Sequence, residues 1–526
     1  MKKQFKFGLL LMIISMAVLV FLCQYLLFIP LNFHSAAFLF ELLVLAGIIY
    51  LFLAFKKMTD RKKGHNGILI YFPLTVLAAF LIACLIGTPY SGGLHNYKNQ
   101  TKITESDFSI IPEFDSTQVQ LVDKNTAQQL GDRVFGTLGS DEVSQYQIGE
   151  DWVQISLNGS LCRVTPIDFG GLLKYFATGT TPGYLIVDCN SGDAKLVRSE
   201  GMKYMKSAYF SHNLYRRLFF ADPTAMYGDA KFELDDAGKP YWVTPVYEVT
   251  WVSKTRDIKG VAITDPVSGK TIYYNKADAP AWVDNIYPIR VLYTQFRQSK
   301  RYENGLFNWS KKGIVEFTDD YAYVQFDDHV HIYTGVTSVG KDESNVGFAY
   351  VDLRDGEITY IRRAGAEEYS ARSSVEGAVQ QYHYTAIFPS MVSVAGKPTY
   401  FMGLVDGANL IKNYAFVSYE NYQSVATGAT VKEAYQNYLK LIGGNEVKED
   451  DTYTEKTVTV KEVQLIVKEG NTIVLIQDTS GNISFYDMSD SDFRASFLRE
   501  GDILKVMMNS EGRIREFISI TEAETE

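Results

Sequence analysis

Three apolar runs crowd the chain before residue 88, and nothing else in its 526 residues limits the fold as strongly. Residues 7–29, 36–55 and 68–87 are each long enough to cross a hydrocarbon core about 30 Å thick at about 1.5 Å per helical residue. A cleavable leader has a shorter apolar core followed by a small-residue cleavage site, so the runs are read as three retained transmembrane helices. Short loops rich in Lys and Arg stay cytoplasmic. The N-terminus carries Lys2, Lys3 and Lys6, and the loop 56–67 carries Lys56, Lys57, Arg61, Lys62 and Lys63. The expected topology is a multi-pass bacterial plasma-membrane protein with its N-terminus in the cytoplasm and everything after Thr88 outside it. Glu41, the acid within the spans, is expected to reach headgroup water.

Against those basic residues the first 66 positions hold only Glu41 and Asp60, a net of +6, which leaves −16 on the rest of a chain totalling −10. An acidic exported region repels nucleic acid and anionic lipid, so no nucleic-acid partner is expected. The expected partners are the bilayer and other membrane or envelope proteins, with a homo-oligomer also open. The four cysteines divide evenly. Cys23 and Cys84 lie in apolar runs, whereas Cys162 and Cys189 lie beyond them and are candidates for one disulfide.

The fold class expected is a membrane-anchored α+β protein with an antiparallel, β-rich exported domain, interspersed helices and a small C-terminal barrel. The anchor spans 1–88, a polar, Gly-rich juxtamembrane stalk 89–109, and the α+β region 110–442. A charged linker at 443–456 leads to a β-rich terminal unit at 457–526. Alternating aromatic and β-branched residues at 241–252 and 321–333 read as half-buried strands. Helical periodicity appears at 125–138, 207–219, 286–300, 372–384 and 431–442.

A repeat links these pieces. YLIVDCNSGDAKLV (184–197), GVAITDPVSGKTIYY (260–274) and GFAYVDLRDGEITYI (347–361) each place a strand, then Asp, two residues, Ser or Asp, and Gly before a second strand. Asp supports such a turn through its side chain and Gly takes the positive φ, which is hairpin chemistry. The pattern resembles the hairpin of PepSY-type extracytoplasmic modules, and the strands of 398–422 followed by the helical 431–442 look like another unit of that kind. The resemblance implies a binding or modulatory module. Five short strands after 457, with a helix-like MSDSDFRASFLREGD between the third and fourth, resemble the OB-fold barrel.

The most chemical stretch is FDDHVHIY. On a strand, residues two apart share a face, so Asp327, His329 and His331 would project together as a ligand set for a divalent transition metal, with a solvated strand face as the alternative. No other cofactor is expected. No nucleophile elbow, zincin motif, paired-cysteine motif or Walker loop occurs, and ATGTTPGY (177–184) lacks the helix and lysine that cradle phosphate. Carboxylates for glycoside hydrolysis leave no spacing signature, and Asp115, Asp168, Asp284 and Asp319 are equally eligible. Asp284 could cap the helix at 286–300, and Trp282 and Tyr287 could pack beside it or line a cleft. The expectation is a non-enzymatic cell-envelope protein whose modules bind or scaffold other envelope components. The alternative is an extracytoplasmic metal- or carboxylate-dependent hydrolase acting on envelope polymers.

Overall fold

The computed structural model describes residues 2–59, 67–86, 88–111, 113–116, 119–250, 255–326, 329–339, 345–443, 454–468, 471–488, 493–508, 512 and 514–521. It divides into two compact units, Met1–Ile442 and Gly443–Glu526. Most of the expected linker falls outside the described residues, as does much of the basic loop 56–67.

The apolar runs form helices, Lys2–Leu27, Ala36–Thr59 and Gly67–Leu85. Among the described residues, however, no helix is long and apolar enough to cross a membrane. The three transmembrane spans, the multi-pass plasma-membrane placement and the fold class built on them are therefore withdrawn. Glu41 does not reach outward as expected: its Oε2 accepts from Gln24 Nε2 at 2.8 Å. The residues expected to be a stalk are packed against the body. Tyr97 is buried with its ring 5.7 Å from that of Tyr302, and Ile103–Ser106 runs parallel to Ile358–Ile361 as a sheet strand.

Beyond this segment the first unit repeats one plan. Among the described residues, four sheets share the same antiparallel connectivity, a broken first strand and then three full strands in a meander, and the third also carries the parallel strand Ile103–Ser106 at its edge. The broken strands are Tyr146–Ile148 with Val153–Leu157, Met226–Tyr227 with Lys231–Leu234, Val315–Phe317 with Ala322–Phe326, and Thr385–Ala386 with Ser390–Val394. In each sheet both halves pair with one long second strand: Ser160–Phe169, Pro240–Thr250, His329–Ser338 and Lys397–Val405. A helix precedes each sheet: Lys124–Phe135, Leu214–Ala221, Ile289–Tyr302 and Glu368–Ala378. Val431–Leu441 follows the last.

The break has a local cause that recurs. At the interruption a backbone N–H bonds across to one residue of the second strand: Gly149 to Pro166 O, Gly228 to Pro245 O, Thr318 to Gly335 O and Ile387 to Gly403 O, at 2.7–3.0 Å. In an antiparallel strand the N–H and C=O of one residue point the same way. Pro166 and Pro245 therefore lack a donor on the side where the first strand departs, which is where a strand tolerates proline. In the first sheet the Thr165 hydroxyl donates to Gly149 O at 2.9 Å and supplies the bond that Pro166 cannot.

The hairpins joining the last two strands follow the Asp–Gly rule read from the sequence. Oδ1 of Asp188, Asp265 and Asp352 each accepts two backbone N–H groups, and Gly192, Gly269 and Gly356 take φ of +75°, +70° and +73°. The fourth sheet departs from it, placing its Asp406 turn one hairpin earlier.

Both faces of these sheets are buried. Val153, Val164 and Tyr184 of the first sheet share a core with Phe232, Trp242 and Ala262 of the second. Tyr333, Phe348 and Tyr350 of the third share another with Tyr400, Met402 and Val417 of the fourth. Cys162 and Cys189 are free thiols, and the expected bridge is not formed. Cys162 stands opposite Asp188 in the ladder, so Cys189, one residue on, belongs to the opposite face, where Gln154 Nε2 contacts its Sγ at 3.3 Å. Cys162 and Cys189 accordingly lie in different cores.

In the second unit the long strand Thr454–Lys468 pairs with Asn471–Asp478 through one end and with Ile503–Met508 through the other. Phe485 N bonds Gly512 O at 2.9 Å, linking the two outer arms of the sheet.

Replacing Thr165 by Val keeps its volume and leaves the buried Gly149 carbonyl without the hydroxyl. A loss of about 1–3 kcal/mol in unfolding free energy is expected from urea denaturation at unchanged m-value. Unchanged stability would contradict the role given to Thr165 at the break.

Candidate binding cavity

The four breaks face one cavity of about 1200 Å³. Asp151, Trp152 and Val153 come from the first sheet, Asp229 and Lys231 from the second, Asp320 to Tyr323 from the third, and Thr385 to Phe388 from the fourth. Helix starts complete the wall. Asp123, whose carboxylate caps Lys124–Phe135 by accepting Thr126 N at 2.8 Å, lies beside Lys124 and Asn125, and Pro288 to Val291 open the helix Ile289–Tyr302. Thr294, Gln295 and Gln298 follow along that helix.

The lining alternates charge and aromatic rings. Its acids are engaged: Asp151 and Asp229 hold Lys206 at 2.9 and 2.8 Å, Asp229 also meets Lys231 at 3.0 Å, and Asp320 Oδ1 accepts Tyr321 N at 2.9 Å. These lysines hold Asp229 well below the usual carboxylate range although burial opposes them. Arg256 and Tyr247 form a cation–ring pair at 5.5 Å, and Arg372 Nε donates to Ala386 O at 3.0 Å.

Arg163 is the exception to ordinary surface chemistry. It is only 4 % exposed, its Nη1 reaches Trp152 O at a long 3.3 Å, and its Nε has no hydrogen-bond partner. Its guanidinium lies 5.2 Å from the centre of the Tyr323 ring.

The residues singled out from sequence scatter elsewhere. Asp327 lies outside the described residues. His329 and His331 do converge, but on Asp352 of the neighbouring hairpin: His329 Nδ1 and His331 Nε2 lie 3.6 and 3.4 Å from its Oδ2. His329, Asp352 and Asp355 offer ligand atoms within 4.8 Å of one another, so a His/Asp group able to hold a metal is present. None of these residues lines the cavity.

Two of the eligible carboxylates, Asp284 and Asp168, are also spent away from it. Asp284 is not the helix cap expected; the helix begins after Pro288, and buried Asp284 accepts Ser156 N at 2.6 Å. Asp284 N in turn donates to buried Glu233 at 2.9 Å, and burial raises both carboxyls above their ordinary range. Burial pushes Asp168 up to about 6 although Ser207 Oγ donates to it at 2.6 Å. Glu368, fully buried against Tyr333, is pushed up to about 7 by burial. Trp282 stacks on Tyr241 at 5.2 Å, whereas Tyr287 lines the cavity.

Sequence reasoning missed the breaks. The signal was present in VTPI (164–167), VTPV (243–246), YTGV (333–336) and FMGL (401–404), which put Pro or Gly at one position of every second strand.

No family model and no curated protein matches this chain. Solved structures similar to parts of it include a Bacillus megaterium levansucrase, 8 % identical over 79 % of this chain and 99 % of that one, with a TM-score of 0.16. A GH43_1 enzyme from Xanthomonas citri complexed with xylotriose is 10 % identical over 74 % and 95 %, with a TM-score of 0.17. A Cellvibrio cellulosa α-L-arabinanase is 12 % identical over 70 % and 96 %, with a TM-score of 0.16. Scores this low carry no argument about fold or activity.

Glu368 supplies a test of burial. Its folded-state pKa lies above the unfolded one, so the folded chain binds the extra proton and stability falls as pH rises from about 4.5 to about 7. Glu368→Gln is expected to remove roughly 3 kcal/mol of that decline, measured as unfolding free energy at pH 5 and pH 8. An unchanged pH slope would place the carboxyl in contact with water.

Proposed function

We propose that this chain is a non-enzymatic binding protein whose four repeated modules hold one ligand in their common cavity. The observation that carries this reading is the contribution of the same element, the break in the first strand, by all four sheets to one space. A shared inner edge cannot be built from one module, so the repeat itself serves the cavity. At about 1200 Å³ the space exceeds the several hundred Å³ typical of a small-molecule pocket and suits an oligomer or a segment of a larger partner. The PepSY-type and OB-type resemblances fit a binding role. The first draws support from the helix that precedes each meander, the second from the long strand that pairs at its two ends with different neighbours. With the membrane anchor withdrawn, the cell-envelope address has no support left.

A second reading keeps the hydrolase alternative, because His329 and His331 share Asp352 and the group with Asp355 could hold a divalent transition metal. Because none of these residues lines the cavity, they would serve a separate site.

Native mass spectrometry of the full chain, purified without denaturation from its natural source, separates the two. A retained mass is expected on the wild-type chain and its loss on Thr294→Trp, which fills the cavity from an exposed helical position. A retained mass unaffected by Thr294→Trp would contradict the cavity as the site. One equivalent of bound zinc lost in His329→Ala, with cleavage of added glycans, would favour the hydrolase.

A further inference from the structure

We infer that the cavity takes a multiply anionic ligand, an oligomer bearing carboxylate or phosphate groups, and that Arg163 is its innermost anchor. The inference deepens the binding reading and rests on it.

The argument starts from the cost of a buried charge. A guanidinium is charged at any physiological pH and has five donors to satisfy. Arg163 is buried, has no carboxylate partner among the described residues, and leaves Nε without an acceptor. Its nearest compensation is one distant carbonyl and the face of Tyr323, which is too little for a desolvated cation. An anion entering the cavity would complete it, because a carboxylate or phosphate oxygen pairs with the fork of a guanidinium.

The wall beyond Arg163 points the same way. Arg256, Arg290 and Arg372 line the cavity with no carboxylate partner among the described residues. The lining acids are committed to lysines, to a helix cap or to their own turn. Arginines from two sheets and two helices thus surround one space, in a chain whose overall charge is −10. Rings are interleaved with them, the Tyr247 ring 5.5 Å from the Arg256 guanidinium and the Tyr323 ring 5.2 Å from that of Arg163.

Calorimetric titration of the full chain tests the inference with three probes: hexagalacturonate for carboxylates, hexametaphosphate for phosphates, and maltohexaose as the neutral counterpart. Saturable binding of either anion is expected, at least tenfold tighter than maltohexaose and weakened by raising salt. The tighter of the two identifies the anion. Arg163→Met should weaken that binding at least tenfold while leaving or raising the melting temperature of the unliganded chain, whereas a purely structural arginine would lower it. Arg256→Gln with Arg290→Gln, both exposed, should weaken binding severalfold and leave melting unchanged. Binding of maltohexaose alone, blocked by Thr294→Trp, would overturn the anionic ligand and preserve the cavity reading. Failure of all three probes, with no retained native mass, would overturn both.

Discussion

Every sheet in the first unit must do something with the unpaired edge of its first strand. A straight edge of backbone donors and acceptors invites pairing with other chains, and proteins blunt it by shortening, bending or covering it. Here each first strand is split in two, and at the split one backbone N–H bonds across to the carbonyl of Pro166, Pro245, Gly335 or Gly403 on the facing strand. The four blunted edges line one cavity, so a solution to an edge problem becomes a wall of polar and aromatic side chains.

Burial then fixes what the wall can offer. Because both faces of the sheets are covered by neighbouring sheets or helices, most titratable groups inside are locked to backbone partners. Asp284 and Glu233 take N–H groups from Ser156, Asp284 and Asn285, and Glu368 takes the Tyr333 hydroxyl. Glu113 bonds Ala395 and Gly396 at a turn of the fourth sheet. Carboxylates held this way brace the fold, and burial raises the pKa values of Asp284, Glu233 and Glu368. Arg163 differs because its environment gives it little in return.

The sequence showed much of the secondary structure and little of the site. The helices Lys124–Phe135, Ile289–Tyr302 and Val431–Leu441 fall where helical periodicity predicts them, since one apolar face is enough to mark them. The Asp–Gly hairpins at Asp188, Asp265 and Asp352 were legible because turn chemistry is local. Asp352 could not be read as a neighbour of His329 and His331, because it approaches them across a strand pair and not along the chain. Membrane crossing was inferred from apolar runs alone, and the described helices do not meet its demand for length and hydropathy together. The cavity was invisible because its walls come from residues between 100 and 409, and a net charge averaged over the chain hides a locally cationic surface.

The most direct test of a cavity shared by four modules is hydrogen–deuterium exchange of the full chain with and without hexagalacturonate. The account expects joint protection at the four breaks, residues 149–153, 228–231, 318–323 and 385–388, with the His329–Asp355 hairpins unaffected. Protection that is absent, or confined to a single break or to those hairpins, would contradict it.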